Sequence, residues 1–272
     1  APACAEPRGQ HAMPPQLAVG AGEEPSGPDR VGPLRWIRDP ESYEALLHIP
    51  APEAEPSGAA AQVWPLLVYL HGAGEMGRHL PDIISEGATG TPPVELHFGR
   101  AHNGLAQRFA VVAPQACAGW EAARVSRLVD FLVRQGPDLG FRVDEARVYV
   151  TGHSMGGGGA VVAAATGRFA AAVPVAAAVP RDPAVVRALA KSGTPVWAFH
   201  GRNDAVVPAG LSEWLVQALR DAGASESQAR LTLFDCAPTP PGYPHAVGHA
   251  STLPAYADPE LYDWLLARSL AG

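Results

Sequence analysis

The clearest chemical signal lies at residues 152–156, whose sequence is Gly-His-Ser-Met-Gly. They follow an apolar run at 148–150 and precede a stretch of small residues that can begin a helix. A serine on a sharp turn between a strand and a helix exposes its hydroxyl, and small flanking residues let that turn close. We therefore predict that Ser154 is the nucleophile of an acyl-transfer reaction. The alternative is an ordinary glycine loop, because a chain with 29 glycines produces this spacing by chance.

A serine nucleophile needs a histidine to accept its proton, and the histidine needs an acidic side chain to hold its tautomer. With this kind of turn, the acid and then the histidine follow the serine along the chain. Asp204 comes shortly after an apolar run at 195–199, at a strand end where α/β proteins build their sites. His245 and His249 both lie beyond the last predicted strand, and their spacing leaves the choice open. Taken alone, Asp204 could be an ordinary turn aspartate and either histidine could be a surface loop residue. The order of serine, aspartate and histidine, each after a predicted strand, favours a catalytic triad.

The same reaction needs backbone N–H groups that stabilise the oxyanion of the tetrahedral intermediate. Met155 follows the serine and is placed to donate one from the first turn of its helix. Residues 71–74 (His-Gly-Ala-Gly) follow an early apolar run at 66–70, and we predict the Ala73 N–H as the second donor. The glycines there allow the backbone to approach a substrate closely. A plain turn after a strand is the structural alternative.

These residues need a scaffold that brings the ends of several strands together. Strand-length runs that are apolar on both faces lie at 66–70, 109–113, 148–151, 171–175, 196–199 and 231–234. Helix-compatible segments alternate with them at 121–135, 155–165, 183–190, 209–222 and 259–270. One or two edge strands are expected between 34 and 49. The pattern predicts an α/β fold with a mostly parallel central sheet and helices on both faces.

The length of 272 residues suits one large α/β domain. Residues 1–33 are rich in proline and glycine and lack hydrophobic periodicity, so we predict a flexible tail there and a single domain at 34–272. A long stretch at 78–108 separates the predicted oxyanion loop from the next strand. It is expected to form either a lip over the site or a solvated surface loop.

Composition argues against several classes of protein. The net charge of −7 and the absence of a Lys/Arg cluster argue against a nucleic-acid partner. The longest uncharged stretches are broken by a glycine-rich turn or a proline, which argues against a membrane span. Three cysteines match no metal spacing, and the predicted chemistry needs neither a metal nor an organic cofactor. Compartment, cytoplasmic or secreted, and oligomeric state are left open.

Five segments carry a resemblance to a known superfamily. They are LVYLHGAGEMG at 67–77, FAVVAPQ at 109–115, VYVTGHSMGG at 148–157, VWAFHGRNDAVVP at 196–208 and GHASTLPAYADPELYDWLLA at 248–267. Together they resemble the esterase and predicted-peptidase branch of the α/β-hydrolases, which includes carboxylesterases, feruloyl esterases and polyhydroxybutyrate depolymerases. The resemblance runs from about Leu66 to the end of the chain.

The resemblance also distinguishes between the two histidines. In that branch the catalytic histidine stands in a Gly-His pair shortly before a segment ending LYxWLL, which corresponds here to Gly248, His249 and 261–266. It therefore favours His249 over His245 as the base. The chain departs from the branch at 250–252, where it has Ala-Ser-Thr in place of the usual Asp-Ser-Trp.

What the resemblance implies is an α/β-hydrolase fold and a serine esterase that cleaves small-molecule carboxylic esters without a cofactor. The residues expected to carry the reaction are Ser154, Asp204 and His249 as the triad and Ala73 and Met155 as oxyanion donors. A serine peptidase of the same fold is one alternative, since an amide differs from an ester mainly in its leaving group. A non-catalytic binding protein on a hydrolase scaffold is another. A lipase is less favoured, because no long amphipathic lid helix is visible.

Overall fold

The computed structural model describes residues 30–31, 33–51, 61–88 and 90–270. A single sheet of nine described strands forms its centre. In chain order the strands are β1 (Arg30–Val31), β2 (Leu34–Arg38), β3 (Glu44–His48), β4 (Val63–Leu70), β5 (Ala110–Pro114), β6 (Arg142–His153), β7 (Ala171–Val175), β8 (Val196–Gly201) and β9 (Ala229–Phe234).

The sheet has the strand order β1-β2-β3-β5-β4-β6-β7-β8-β9. The six strands from β5 to β9 in this order are parallel to one another, whereas β1, β2 and β3 add an antiparallel edge. β5 and β7 are buried along their whole length, which is why their sequences are apolar without alternation. Parallel neighbours need crossover connections, and helices supply them. The predicted α/β architecture is confirmed.

Helices cover both faces of this sheet. They are α1 (Pro92–His97), α2 (Asn103–Ala106), α3 (Ala122–Gln135), α4 (Met155–Ala164), α5 (Pro183–Ser192), α6 (Gly210–Asp221), α7 (Thr252–Ala257) and α8 (Pro259–Leu266). Along β4, Leu66 and Val68 pack into one hydrophobic cluster, and Leu67 and Tyr69 pack into another on the opposite face. None of the helices described is long and apolar enough to cross a membrane.

The predicted strands and helices are all present, and their bounds differ in understandable ways. β6 begins earlier than predicted, at Arg142, because its first six residues are mostly polar and are exposed or half-buried. β4 also begins earlier, at Val63, on the far side of Pro65 and of a shift in its register with β6. The sequence does not predict α1, α2 and α7, which have six residues at most and are too short for helical periodicity. The tail predicted at 1–33 lies outside the described residues up to residue 29. Beyond that point, Arg30–Val31 pair with β2.

The 78–108 stretch packs onto the sheet and is not a solvated loop. Its Leu80, Ile83 and Leu96 are buried in the same hydrophobic cluster as Tyr69 of β4. Gly87, from the middle of the stretch, lines the cavity described below. The segment is therefore anchored by its own apolar side chains and contributes one wall of the site.

Candidate active site

Ser154 lies at the tip of a sharp turn between β6 and α4. β6 ends at His153 and α4 begins at Met155, so the serine is the single residue between them. Its backbone angles, φ 56° and ψ −116°, lie in a strained region that residues other than glycine rarely adopt. The Ser154 N–H donates to the carbonyl oxygen of Val175 at 3.0 Å, which ties the turn to β7. The turn has the geometry expected of a nucleophile elbow.

Both glycines of this turn are required by close backbone packing. A β-carbon on Gly156 would lie 1.9 Å from the carbonyl oxygen of Leu70, at the end of β4. A β-carbon on Gly152 would lie 2.4 Å from the carbonyl oxygen of Gly156. Neither position has room for a side chain, so close packing requires glycine at both of these positions.

Asp204 and His249 form a hydrogen-bonded pair. Asp204 follows β8, His249 precedes α7, and Asp204 Oδ2 lies 2.7 Å from His249 Nδ1. The other carboxylate oxygen of Asp204 accepts hydrogen bonds from the N–H groups of Val206 and Val207, each at 2.9 Å. With its proton on Nδ1 and donated to the carboxylate, a neutral His249 keeps a lone pair on Nε2. This is the tautomer that a general base requires.

The charge on Asp204 is favoured by its surroundings. Burial acts to raise the pKa of this carboxyl, but hydrogen bonds from His200, His249 and the Val207 N–H outweigh it and hold the pKa well below its usual value. Asp204 is therefore ionised at neutral pH. A carboxylate in this position stabilises the imidazolium that forms when His249 takes up a proton.

The loop that carries His249 is locked against the loop of its acid partner. Gly248 has φ 72°, and a β-carbon there would lie 2.5 Å from the carbonyl oxygen of Asn203. The N–H of Ala205 donates to the carbonyl oxygen of Val247 at 2.9 Å. The Gly-His pair therefore has a steric explanation, since only glycine combines this backbone conformation with so close an approach.

His245, the second candidate base, is not paired with Asp204. Its side chain is exposed, and no described hydrogen bond or ion pair joins it to that acid. His249 is 7% exposed and contacts the carboxylate directly. The geometry thus favours His249, as the resemblance implies.

Ser154 and His249 line the same cavity, which has a volume of about 450 Å³. Most of its other walls are glycine or apolar, including Val206, Pro240 and Pro244. Among the described residues, no lysine or arginine lines the cavity. A mostly apolar cleft with a few convergent polar groups is the usual form of a site for a small organic molecule.

The backbone N–H groups of Ala73 and Met155, which the sequence predicts as oxyanion donors, lie at the start of a 3-10 turn and at the start of α4. Ala73 begins a single 3-10 turn, Ala73–Glu75, directly after β4 and lines the cavity. Met155 is the first residue of α4, where helix geometry leaves the N–H without an intrahelical acceptor. Neither N–H donates to an acceptor within the described part of the chain. Both can therefore donate to an oxyanion.

His71 anchors the loop that carries Ala73. Its Nε2 accepts a hydrogen bond from the Ala116 N–H at 2.9 Å, and its Nδ1–H donates to the carbonyl oxygen of Gly72 at 2.6 Å. The indole of Trp120 donates to the His71 carbonyl oxygen at 3.1 Å. Burial lowers the pKa of His71 to about 4, so the ring is neutral near pH 7 and can accept as well as donate.

Two polar side chains of the site are missed by sequence reasoning. His153 donates through Nε2 to the carbonyl oxygen of His249 at 2.8 Å, and burial lowers its pKa to about 4. It therefore ties the elbow to the backbone of the candidate base. Glu75 is 6% exposed and lines the cavity, and burial raises its pKa. The signals that could have found them are a histidine inside the elbow pattern and an acid directly after a glycine-rich run.

Comparisons with known proteins find similarity to esterases and other hydrolases. Residues 111–214 match the PET hydrolase-like family. A comparison with curated proteins finds no match. Among solved structures, a thermostable esterase is 25% identical with a TM-score of 0.63, and the match covers 87% of this chain and 62% of that one.

Two further structures share the fold at lower identity. A fluorophosphonate-binding serine hydrolase of Staphylococcus aureus is 14% identical with a TM-score of 0.57, covering 86% of this chain and 99% of that one. A putative dienelactone hydrolase of Klebsiella pneumoniae is 18% identical with a TM-score of 0.53, covering 82% and 92%. The chain thus spans less than two thirds of the thermostable esterase but nearly the whole of these two. Fold and likenesses together support the predicted resemblance: the chain has an α/β-hydrolase fold and is similar to proteins of the esterase branch.

Proposed function

We propose that the chain hydrolyses carboxylic esters of small molecules through an acyl-enzyme on Ser154. The observation that carries this proposal is the strained Ser154 in the same cavity as a His249 whose Nδ1 is held by a buried carboxylate. Strain at the serine and a preset histidine tautomer serve nucleophilic attack. The esterases and serine hydrolases among the similar structures support ester cleavage.

The reaction follows from the roles of these groups. His249 Nε2 accepts the Ser154 proton as Oγ attacks the ester carbonyl, and the imidazolium is stabilised by Asp204. The N–H groups of Ala73 and Met155 donate to the oxyanion, each worth about 3 kcal/mol of transition-state stabilisation. His249 then protonates the leaving alcohol. Water, deprotonated by the same histidine, attacks the acyl carbon, and the histidine returns the proton to Ser154 Oγ as the acyl bond breaks and the carboxylic acid is released.

The decisive experiment is removal of the hydroxyl in Ser154→Ala. We expect kcat for p-nitrophenyl acetate to fall about ten-thousandfold and labelling by a fluorophosphonate probe to disappear, because both need an activated serine. Ser225→Ala, at an exposed serine, is the matched control and should keep both signals. Unfolding curves of both variants check that the fold is retained.

Two outcomes contradict the proposal. Wild-type protein that folds but is not labelled at Ser154 would favour a binding protein on a hydrolase scaffold. Turnover of peptide amides at rates comparable to esters would favour a peptidase.

A further inference from the structure

Tyr243 lies where three segments of the chain meet at the cavity. It belongs to the loop at 237–248, which leads into the candidate base, and it lines the cavity together with Gly74 of the oxyanion loop and Gly87 of the 78–108 stretch. The residue is 44% exposed, so one side of it faces solvent. Its side chain therefore extends, at the solvent-exposed side of the cavity, from its own loop to the walls formed by Gly74 and Gly87.

The ring contacts both opposite walls because those walls are glycine. A β-carbon on Gly87 would lie 2.4 Å from Cε2 of the Tyr243 ring. A β-carbon on Gly74 would lie 3.0 Å from the Tyr243 hydroxyl oxygen and 3.5 Å from Cζ. Neither glycine has a positive φ, so their backbones do not require glycine for conformational reasons. The absence of side chains at these positions makes room for the tyrosine.

The loop that presents the ring is stiff. It contains prolines at 238, 240, 241 and 244, each of which fixes its own φ. Tyr243 precedes one of them, which restricts its own backbone too. The Tyr243 N–H donates to the Pro240 carbonyl oxygen at 3.0 Å, and the Ala246 N–H donates to the Tyr243 carbonyl oxygen at 2.9 Å. The ring is thus held in place by local turns as well as by its contacts.

We propose that Tyr243 is a specificity-determining residue that limits the length of the ester that the cavity accepts. With its ring seated on Gly74 and Gly87, the tyrosine closes the cavity on that side. Esters with short chains fit inside this wall, whereas long chains must displace the ring. The proposal rests on the proposed ester hydrolysis and adds a substrate class to it: esters with short chains.

The first test compares p-nitrophenyl octanoate with p-nitrophenyl acetate in Tyr243 variants. Tyr243→Ala removes the wall, and we expect the octanoate-to-acetate ratio of kcat/KM to rise about tenfold or more. Tyr243→Phe keeps the ring and should keep the ratio within about threefold of wild type. A ratio that is unchanged in Tyr243→Ala, or changed equally in Tyr243→Phe, overturns the proposal.

The second test displaces the Tyr243 ring by changing its neighbour Gly87 and leaves the tyrosine itself in place. Gly87→Ala places a methyl group against the seated ring, and we expect the ratio to change by about fivefold or more, with that effect lost in the Tyr243→Ala background. Gly119→Ala is the matched control, because a β-carbon there has no atom within 4 Å and Gly119 has no positive φ. If the effects of Gly87→Ala and Tyr243→Ala on the octanoate-to-acetate ratio are additive, the Tyr243 ring does not act through its contact with Gly87. Fluorophosphonate labelling of Ser154 in each variant separates failure of this proposal from failure of the proposed chemistry.

Discussion

Two histidines approach the carboxylate of Asp204, but only one of them faces the cavity. His200 Nε2 lies 3.3 Å from Asp204 Oδ2 and also donates to the Val207 carbonyl oxygen at 2.9 Å. The His200 Nδ1 is 2.7 Å from the hydroxyl of Ser212, and the side chain is fully buried. Both ring nitrogens of His200 are therefore occupied by the protein. His249 is left as the histidine that can exchange a proton with a substrate.

This division of roles predicts a sharp difference between His249 and His245. We expect His249→Ala to lower kcat/KM for p-nitrophenyl acetate by about three orders of magnitude or more, because the serine loses its base. His245→Ala should lower it by less than about tenfold, since that side chain is exposed and has no contact with the acid. Steady-state kinetics of both variants decide the matter. A larger loss in His245→Ala would move the base to that residue.

At this scale the sequence predicts the residues whose spacing follows from chemistry. Ser154 can be predicted from the glycines at 152 and 156, Asp204 from the strand end before it, and His249 from the Gly-His pair that it forms with Gly248. His153 and Glu75 do not, since their roles depend on contacts with a distant carbonyl group and with a cavity wall. No local pattern encodes a contact between residues that are far apart in sequence.

Among the elements, the loop before α7 positions the base through its backbone. Gly248 and Gly193 have nearly the same positive φ, 72° and 70°, but very different surroundings. A β-carbon on Gly248 would collide with the Asn203 carbonyl oxygen, whereas one on Gly193 has no atom within 4 Å. The two glycines therefore separate the effect of backbone conformation from the effect of close packing.

Alanine at these two glycines should give different results. We expect Gly193→Ala to lower the free energy of unfolding by about 1 kcal/mol and to keep full esterase activity, because only the backbone penalty applies. Gly248→Ala has the same penalty and also pushes the His249 loop away from Asp204, so kcat/KM should fall about a hundredfold. Denaturant unfolding and ester kinetics measure both effects. Equal activity in the two variants would show that the contact with Asn203 does not position the base.

Which elements the sequence predicts depends on their length and on what they pack against. The central strands are continuous apolar runs, and amphipathic helices have their own hydrophobic periodicity, so α3 and α6 are predicted almost to the residue. Tertiary contacts stabilise the short helices α1, α2 and α7. Val94 of α1 and Tyr256 of α7, for example, are buried against the rest of the protein. Single-sequence patterns detect local periodicity and miss short helices of this kind.

For the whole molecule, the candidate site lies at one edge of the parallel sheet. β4, β6 and β8 all end there, and they lead respectively into the oxyanion loop, the elbow and the loop of Asp204. The site therefore forms because these strand ends lie close together in the sheet. Its polar groups are partly buried between the loops that follow the strands. Two of them are His71 and His153, whose pKa burial lowers to about 4, so that they stay neutral well below pH 6.5.

Buried neutral histidines make the stability of the fold depend on pH. Burial lowers the pKa of His71 and of His153 to about 4 and also lowers that of His48, from an ordinary value of 6.5. Below pH 6.5 the unfolded chain binds more protons at these positions than the folded chain does, so stability falls as pH decreases towards 4. The raised pKa of Glu75 acts in the opposite direction.

We expect His71, which is 1% exposed, to account for about 2 kcal/mol of lost unfolding free energy between pH 7.5 and pH 5. His71→Gln isolates this contribution, because an amide can accept from the Ala116 N–H but does not titrate in this range. The variant should be less stable than wild type at pH 7.5 yet lose about 2 kcal/mol less on acidification. Urea unfolding at both pH values measures the difference. Parallel losses in the two proteins would mean that His71 is not the group that couples the oxyanion loop to pH.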